Sequence, residues 1–134
     1  MSTFVRSLTI EIFNASGADI TVNYGLLTGG EWEAAPIPGS VIASTQQQSY
    51  VNGVSNTLTA LGGQIILTPA SGGAINPSWS WPAGGPVSGS VNNTATVLMV
   101  TNQFVNTQTN FPTMQVIIAN AVTAAQLAAM AKDS

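Results

Sequence analysis

The first part of the chain alternates with period two. Leu8, Ile10 and Ile12 fall on one side and Ser7, Thr9 and Glu11 on the other, the pattern of a strand with one buried face. Asn14-Ala15-Ser16-Gly17 supplies a turn, and Ile20, Val22 and Tyr24 then resume the alternation against Asp19, Thr21 and Asn23. The chain therefore opens as a hairpin. Gly29-Gly30 and Pro36-Ile37-Pro38-Gly39 punctuate the next stretch. Further strand candidates, short and rich in Val, Ile and Thr, lie at 41–43, 49–54, 56–61, 64–68, 94–102 and 113–119, divided by Gly, Pro, Asn and Ser clusters. Turn signals at intervals of about a dozen residues predict an all-β fold, a single antiparallel β-sandwich spanning residues 1–134.

Two stretches break the pattern. Residues 69–93 hold Gly72-Gly73, Pro77, Pro82, Gly84-Gly85 and Pro86 around Trp79 and Trp81, which predicts a long loop or two very short edge strands. Near the end, Ala124-Ala125-Gln126-Leu127-Ala128-Ala129-Met130-Ala131 changes period. Thr123 with Gln126 three residues on is a capping-box signature, and Lys132 suits a helix C-terminus. A short C-terminal helix at about 123–131 is expected to lie against the sandwich or to fray.

Charge changes the picture most. Of 134 residues only 5% are charged, with two basic and five acidic side chains and a net charge of −3, against about 25% charged in an average soluble domain. No formal charge lies between Glu33 and Lys132. Two cations make no footprint for phosphate backbones, so nucleic acid is excluded as a partner. Histidine and cysteine are absent, which removes disulfides, thiolate metal sites and the commonest general base. A chain that is 45% hydrophobic and almost uncharged is not of disordered composition. No apolar run reaches the ~18 residues of a membrane span. No secretory segment is recognisable at Met1–Arg6, so an intracellular site or release by a non-classical route is expected.

Candidate chemistry is correspondingly thin. Glu31 and Glu33 would share one side of a strand, about 7 Å apart at ~3.4 Å per residue, which touches the glycosidase range. Flanking Trp32 beside a Gly-Gly turn, they read instead as solvated acids. A calcium site from Asp19, Glu31 and Glu33 has no supporting spacing. No catalytic residue, metal ligand or cofactor is expected, and the chain reads as a non-enzyme. Asn14-Ala15-Ser16 and Asn92-Asn93-Thr94 match the glycosylation pattern, as expected by chance in a chain rich in Asn, Ser and Thr.

The aromatic residues are more informative. Trp32, Trp79 and Trp81 stand near Gly or Pro, and an extended Trp79-Ser80-Trp81 puts both indoles on one face. They form either a platform for a membrane interface or a sugar, or a plug at one end of the sandwich. With Tyr50 they are the candidate lipid- or ligand-binding residues.

The order of features resembles the aegerolysins. An alternating strand runs through Asn14-Ala15-Ser16-Gly17 into a second strand at 20–26. Gly30-Glu31-Trp32 follows, then Gln64-Ile65-Ile66-Leu67, the aromatic-proline segment Trp79-Ser80-Trp81-Pro82 and late strands. The opening Val5-Arg6-Ser7-Leu8-Thr9-Ile10 through Ser16-Gly17 is also similar to the first strand of actinoporin-like cytolysins. This resemblance implies a toxin-like β-sandwich that recognises membrane lipids and acts with a larger pore-forming partner protein. Ser80 stands where a cysteine is frequent in the family, and the family's basic residues are missing. Lipid recognition would then rest on Trp, Tyr and neutral hydrogen bonds.

A nearly neutral surface of Ser, Thr, Asn, Gln and Gly also suits dense self-packing, as an inclusion or structural protein, or a neutral carbohydrate-binding surface. The run 101–110, with Thr107, Thr109 and Asn110 as the expected assembly face, is richest in neutral donors and acceptors. It reads more simply as a solvated loop between two strands. A homo-oligomer is expected, because there is little charge to guard strand edges.

Overall fold

The computed structural model describes residues 4–120. Ten strands form two five-stranded sheets. They are β1 (Arg6–Ala15), β2 (Ile20–Gly29), β3 (Glu31–Ala34), β4 (Val41–Ile42), β5 (Gln47–Val54), β6 (Leu61–Pro69), β7 (Ile75–Trp81), β8 (Ser88–Asn93), β9 (Leu98–Val105) and β10 (Thr113–Asn120). One sheet runs β3-β5-β1-β10-β9 and the other β4-β2-β6-β7-β8. The helix expected at 123–131 lies outside the described residues.

The core follows from the alternation. Leu8, Ile10 and Ile12 of β1, Met114, Val116 and Ile118 of β10 and Tyr50 of β5 face Ile20, Val22, Ile65, Leu67, Ile75 and Trp79 of the other sheet. Each of the fully buried aliphatic side chains contributes about 1.5–3 kcal/mol. A second cluster of Val54, Leu61 and Trp81 closes one end.

β1 and β2 do not form the expected hairpin, because β1 pairs with β5 and β10 in one sheet and β2 with β4 and β6 in the other. Three further expectations need correction. The sandwich is not wholly antiparallel, because β1 pairs with β10 in parallel, Thr9 beside Thr113 through Ala15 beside Ala119. The segment 56–61 is a loop up to Leu61, and 94–102 begins as a turn, with the Asn93 side chain accepting the Ala95 N–H before β9 starts at Leu98. The third correction concerns 69–93, which is no long loop but contains β7 and β8, with β7 in the sheet interior.

Pro77 has no N–H for the ladder, which argues against an interior strand. The Asn76 side-chain amide donates to the Ile65 carbonyl at 2.9 Å in its place. The register of β6 and β7 is the same on either side of this point, Gln64 with Ser78 and Leu67 with Ile75.

Tyr24 does not continue the face of Ile20 and Val22. A bulge between Val22 and Tyr24 inserts Asn23, and one extra residue reverses every later side chain. Tyr24 and Leu26 are exposed, and Leu27 packs on the core.

Candidate functional site

Strand directions gather three loops at one end of the sandwich. Loop 55–60 follows β5, loop 82–87 follows β7 and loop 106–112 follows β9. Their neighbours there are the start of β1, where Arg6 pairs with Val54, and the end of β2. No charged residue occurs in any of the three loops.

The loops are held in shape by short-range polar bonds. The Asn56 side-chain oxygen accepts the Leu58 N–H and the Thr59 hydroxyl, each at 2.9 Å. This Asx turn leaves Leu58 86% exposed. In 106–112 the Thr109 hydroxyl donates to the Asn106 carbonyl and accepts the Phe111 N–H, and Phe111 is 55% exposed. Asn106 sits at φ 58°, a left-handed conformation that asparagine tolerates. The Ser7 N–H donates to the Asn110 carbonyl, tying this loop to β1.

Beneath the loops lies a buried cation. The guanidinium of Arg6 stands 4.3 Å from the Trp81 ring centroid. Its Nη2 donates to the Thr59 carbonyl at 2.8 Å, which anchors loop 55–60. Trp81 Nε1 donates to the Gly85 carbonyl at 3.2 Å, which anchors loop 82–87. Arg6 Nε is buried without a partner. Burial lowers the pKa of this guanidinium from its ordinary value. Stacking on an indole contributes about 0.5–2 kcal/mol, less than the several kcal/mol of burying an ion. The plug therefore holds the loops at a local cost.

The other candidate aromatics lie deeper. Trp79 is buried, and its Nε1 donates to Asn52 Oδ1 at 3.0 Å. Asn52 Nδ2 donates to the carbonyls of Gly29 and Glu31 at 3.1 Å each, fixing the turn between β2 and β3. Trp32, half-buried on β3, meets Trp79 edge to face with centroids 6.1 Å apart. Gly25 makes room for it, since a Cβ there would come within 2.8 Å of the Trp32 ring. Tyr50 is buried in the core, and desolvation raises its phenol pKa above 10.0. The structure thus brings Trp32 and Trp79 together around Asn52 and puts Trp81 under the loops. Trp79 and Trp81 are both buried, 4% and 7% exposed.

Sequence reasoning missed Arg6, Leu58 and Phe111. Leu58 and Phe111 had a signal, since each is a large apolar residue isolated in a polar, turn-forming stretch. Thr107, Thr109 and Asn110 are exposed in the third loop.

The structure does not bring the three candidate acids together. Glu31 and Glu33 are exposed on edge strand β3, and Asp19 lies in the β1–β2 turn at the opposite end. Among the described residues no group of three or more acids could hold a metal ion. Glu31 borders a depression of about 250 Å³ with Gly30, Val54, Ser55, Asn56 and Thr59. A second depression, of about 330 Å³, lies on β7 and β8 and is lined by Ser78, Trp79, Ser80, Ser88, Gly89 and Ser90.

Asn14 is buried and cannot carry a glycan. Its Nδ2 donates to the carbonyls of Ala18 and Ile42, and its Oδ1 accepts the Ser16 N–H and hydroxyl.

No family model matches the sequence, and no curated protein matches it. Similar architectures occur among solved structures. IP-1A from Alcaligenes faecalis superposes with a TM-score of 0.69 at 13% identity, covering 87% of this chain and 92% of the other. The lipid binding protein Nakanori gives 0.68 at 11% identity, covering 84% and 70%. The Xerocomus chrysenteron lectin XCL gives 0.56 at 9% identity, covering 84% and 98%. At 9–13% identity these likenesses show a shared β-sandwich fold.

Proposed function

We propose that this protein is a non-catalytic lipid-binding module that meets neutral membranes with the end bearing loops 55–60, 82–87 and 106–112. The observation that carries this reading is Leu58 and Phe111, held exposed by local hydrogen bonds on loops without charge. Apolar side chains presented on a rigid frame can enter the headgroup region with little ordering cost. The Arg6–Trp81 plug ties two of the loops to the sandwich. Nakanori, whose name states lipid binding, shares the fold. The aegerolysin resemblance adds a larger pore-forming protein as the partner that would turn binding into lysis. The lack of His and Cys supports a role without catalysis.

Co-sedimentation with neutral, sterol-containing and sphingolipid-containing liposomes tests the reading. Binding is expected to fall about tenfold or more in Leu58→Ala/Phe111→Ala, and to change little with salt, because few charges take part. Binding that is unaltered in the double variant, or that collapses with salt, would refute it.

A glycan reading has one specific support, the neutral groove of Ser78, Ser80, Ser88 and Ser90. Its hydroxyls both donate and accept, as sugar recognition requires, and a lectin shares the architecture. Ser78→Val/Ser90→Val would abolish glycan binding and leave liposome binding intact.

A further inference from the structure

The two long sides of the sandwich differ in how their edges are guarded. On one side β3 has four residues, carries Glu31 and Glu33 and is bulged after Trp32. Its neighbour β4 has two residues and follows Pro36 and Pro38. Short length, charge, bulges and proline are the usual defences of an exposed edge. On the other side β9 has eight residues, no charge, no proline and an unbroken register with β10.

The backbone groups that β9 turns outward are identifiable. The Thr9 N–H donates to the Pro112 carbonyl, so even positions of β10 point their backbone groups at β1 and odd positions at β9. Their partners on β9 are the odd positions 99–105, which leaves Val100, Asn102 and Phe104 directed away from the sheet. Leu98, in the same phase, is already occupied: its N–H donates to Ala95 and its carbonyl accepts from Asn93. Among the described residues no hydrogen bond is made to the outward groups of Val100, Asn102 and Phe104.

The sequence of this edge is self-complementary about Asn102. An antiparallel copy centred there sets Val100 against Phe104, Met99 against Val105 and Thr101 against Gln103, so apolar meets apolar and polar meets polar. Moving the axis to Thr101 opposes Met99 to Gln103 and Val100 to Asn102. Moving it to Gln103 opposes Phe104 to Asn102 and Val105 to Thr101. Only an isologous contact asks one strand to match itself in this way.

We infer that β9 is a dimerisation edge, joining two copies antiparallel about a two-fold axis through Asn102 into one continuous sheet. Val100, Asn102 and Phe104 exchange about six backbone hydrogen bonds with their counterparts. The contact is narrow, so the dimer depends on concentration.

Sedimentation equilibrium of the full chain tests this with two variants. Thr101→Lys/Gln103→Lys places like charges opposite each other across the axis, and about a tenfold or greater rise in dissociation constant is expected. Thr101→Lys/Gln103→Glu places each lysine opposite a glutamate, and association is expected to stay near the wild-type value. Matching melting curves establish that both variants fold. A wild-type monomer through the millimolar range, a dimer indifferent to the paired lysines, or equal loss in both variants would each overturn the inference.

Discussion

The two ends of the sandwich each bury a polar side chain, and they treat it in opposite ways. At the turn end Asn14 is wholly enclosed and fully matched, its amide donating to two carbonyls and its oxygen accepting twice from Ser16. Its backbone is matched too, by Gln46 and Thr45. At the loop end Arg6 is a charge with one carbonyl, an indole face and an unpartnered Nε. A neutral amide with every group satisfied specifies one geometry and adds stability. A buried ion with incomplete partners adds position at little net gain. Asn14 is therefore a full anchor for its turn, whereas Arg6 is a weaker clasp on the loops it touches. The β2–β3 turn at the loop end has a matched amide of its own in Asn52.

The largest expected effect is at the anchor. Asn14→Ala strands the Ser16 N–H and removes one donor each from the carbonyls of Ala18 and Ile42, and should cost about 4 kcal/mol in urea unfolding. Trp81→Ala comes next, at about 3 kcal/mol, through the cavity it leaves between Val54 and Leu61. It should also reduce liposome binding by releasing loop 82–87. Arg6→Met keeps an unbranched apolar stem and removes the ion, so stability should change by less than about 1 kcal/mol in either direction. A loss as large as that of Asn14→Ala would erase the contrast between the ends.

The smallest effect concerns Tyr50 and is confined to alkaline pH. Its raised pKa means that the folded chain keeps the phenolic proton after the unfolded chain has released it. The stability this proton adds is complete below pH about 10 and is lost as pH rises through the folded value. Tyr50→Phe should flatten the alkaline limb of stability against pH and leave the neutral region nearly unchanged.

What could be read from the sequence was whatever depends on neighbours in the chain. Leu8, Ile10 and Ile12 announce β1 by period, and Asn14 to Gly17 announce the first turn. The parallel contact of β1 with β10 was invisible, because nothing local in Thr9 or Thr113 encodes a partner a hundred residues away. Trp79 and Trp81 looked loop-bound because Pro77 argues against an interior strand. The repair by the Asn76 amide needs a carbonyl, that of Ile65, which is distant in sequence. The face of Tyr24 was misread because a single bulged residue, Asn23, inverts the alternation without changing the hydrophobic pattern. At the candidate site, Leu58 and Phe111 are visible as apolar residues among polar ones, but only the strand order shows that their loops share an end.

The pairing of β1 with β10 also bears on how the chain is made. β1 occupies the middle of its sheet, yet one of its flanks is completed only by residues 113–119. During synthesis β1 and its antiparallel partner β5 leave the ribosome early, while the other flank of β1 waits with its backbone groups open. Long-range closure of this kind slows folding. A nascent chain stalled before Thr113 would therefore present a central, strongly apolar strand as a temporary edge, and it is at this stage of production that a chaperone would matter most.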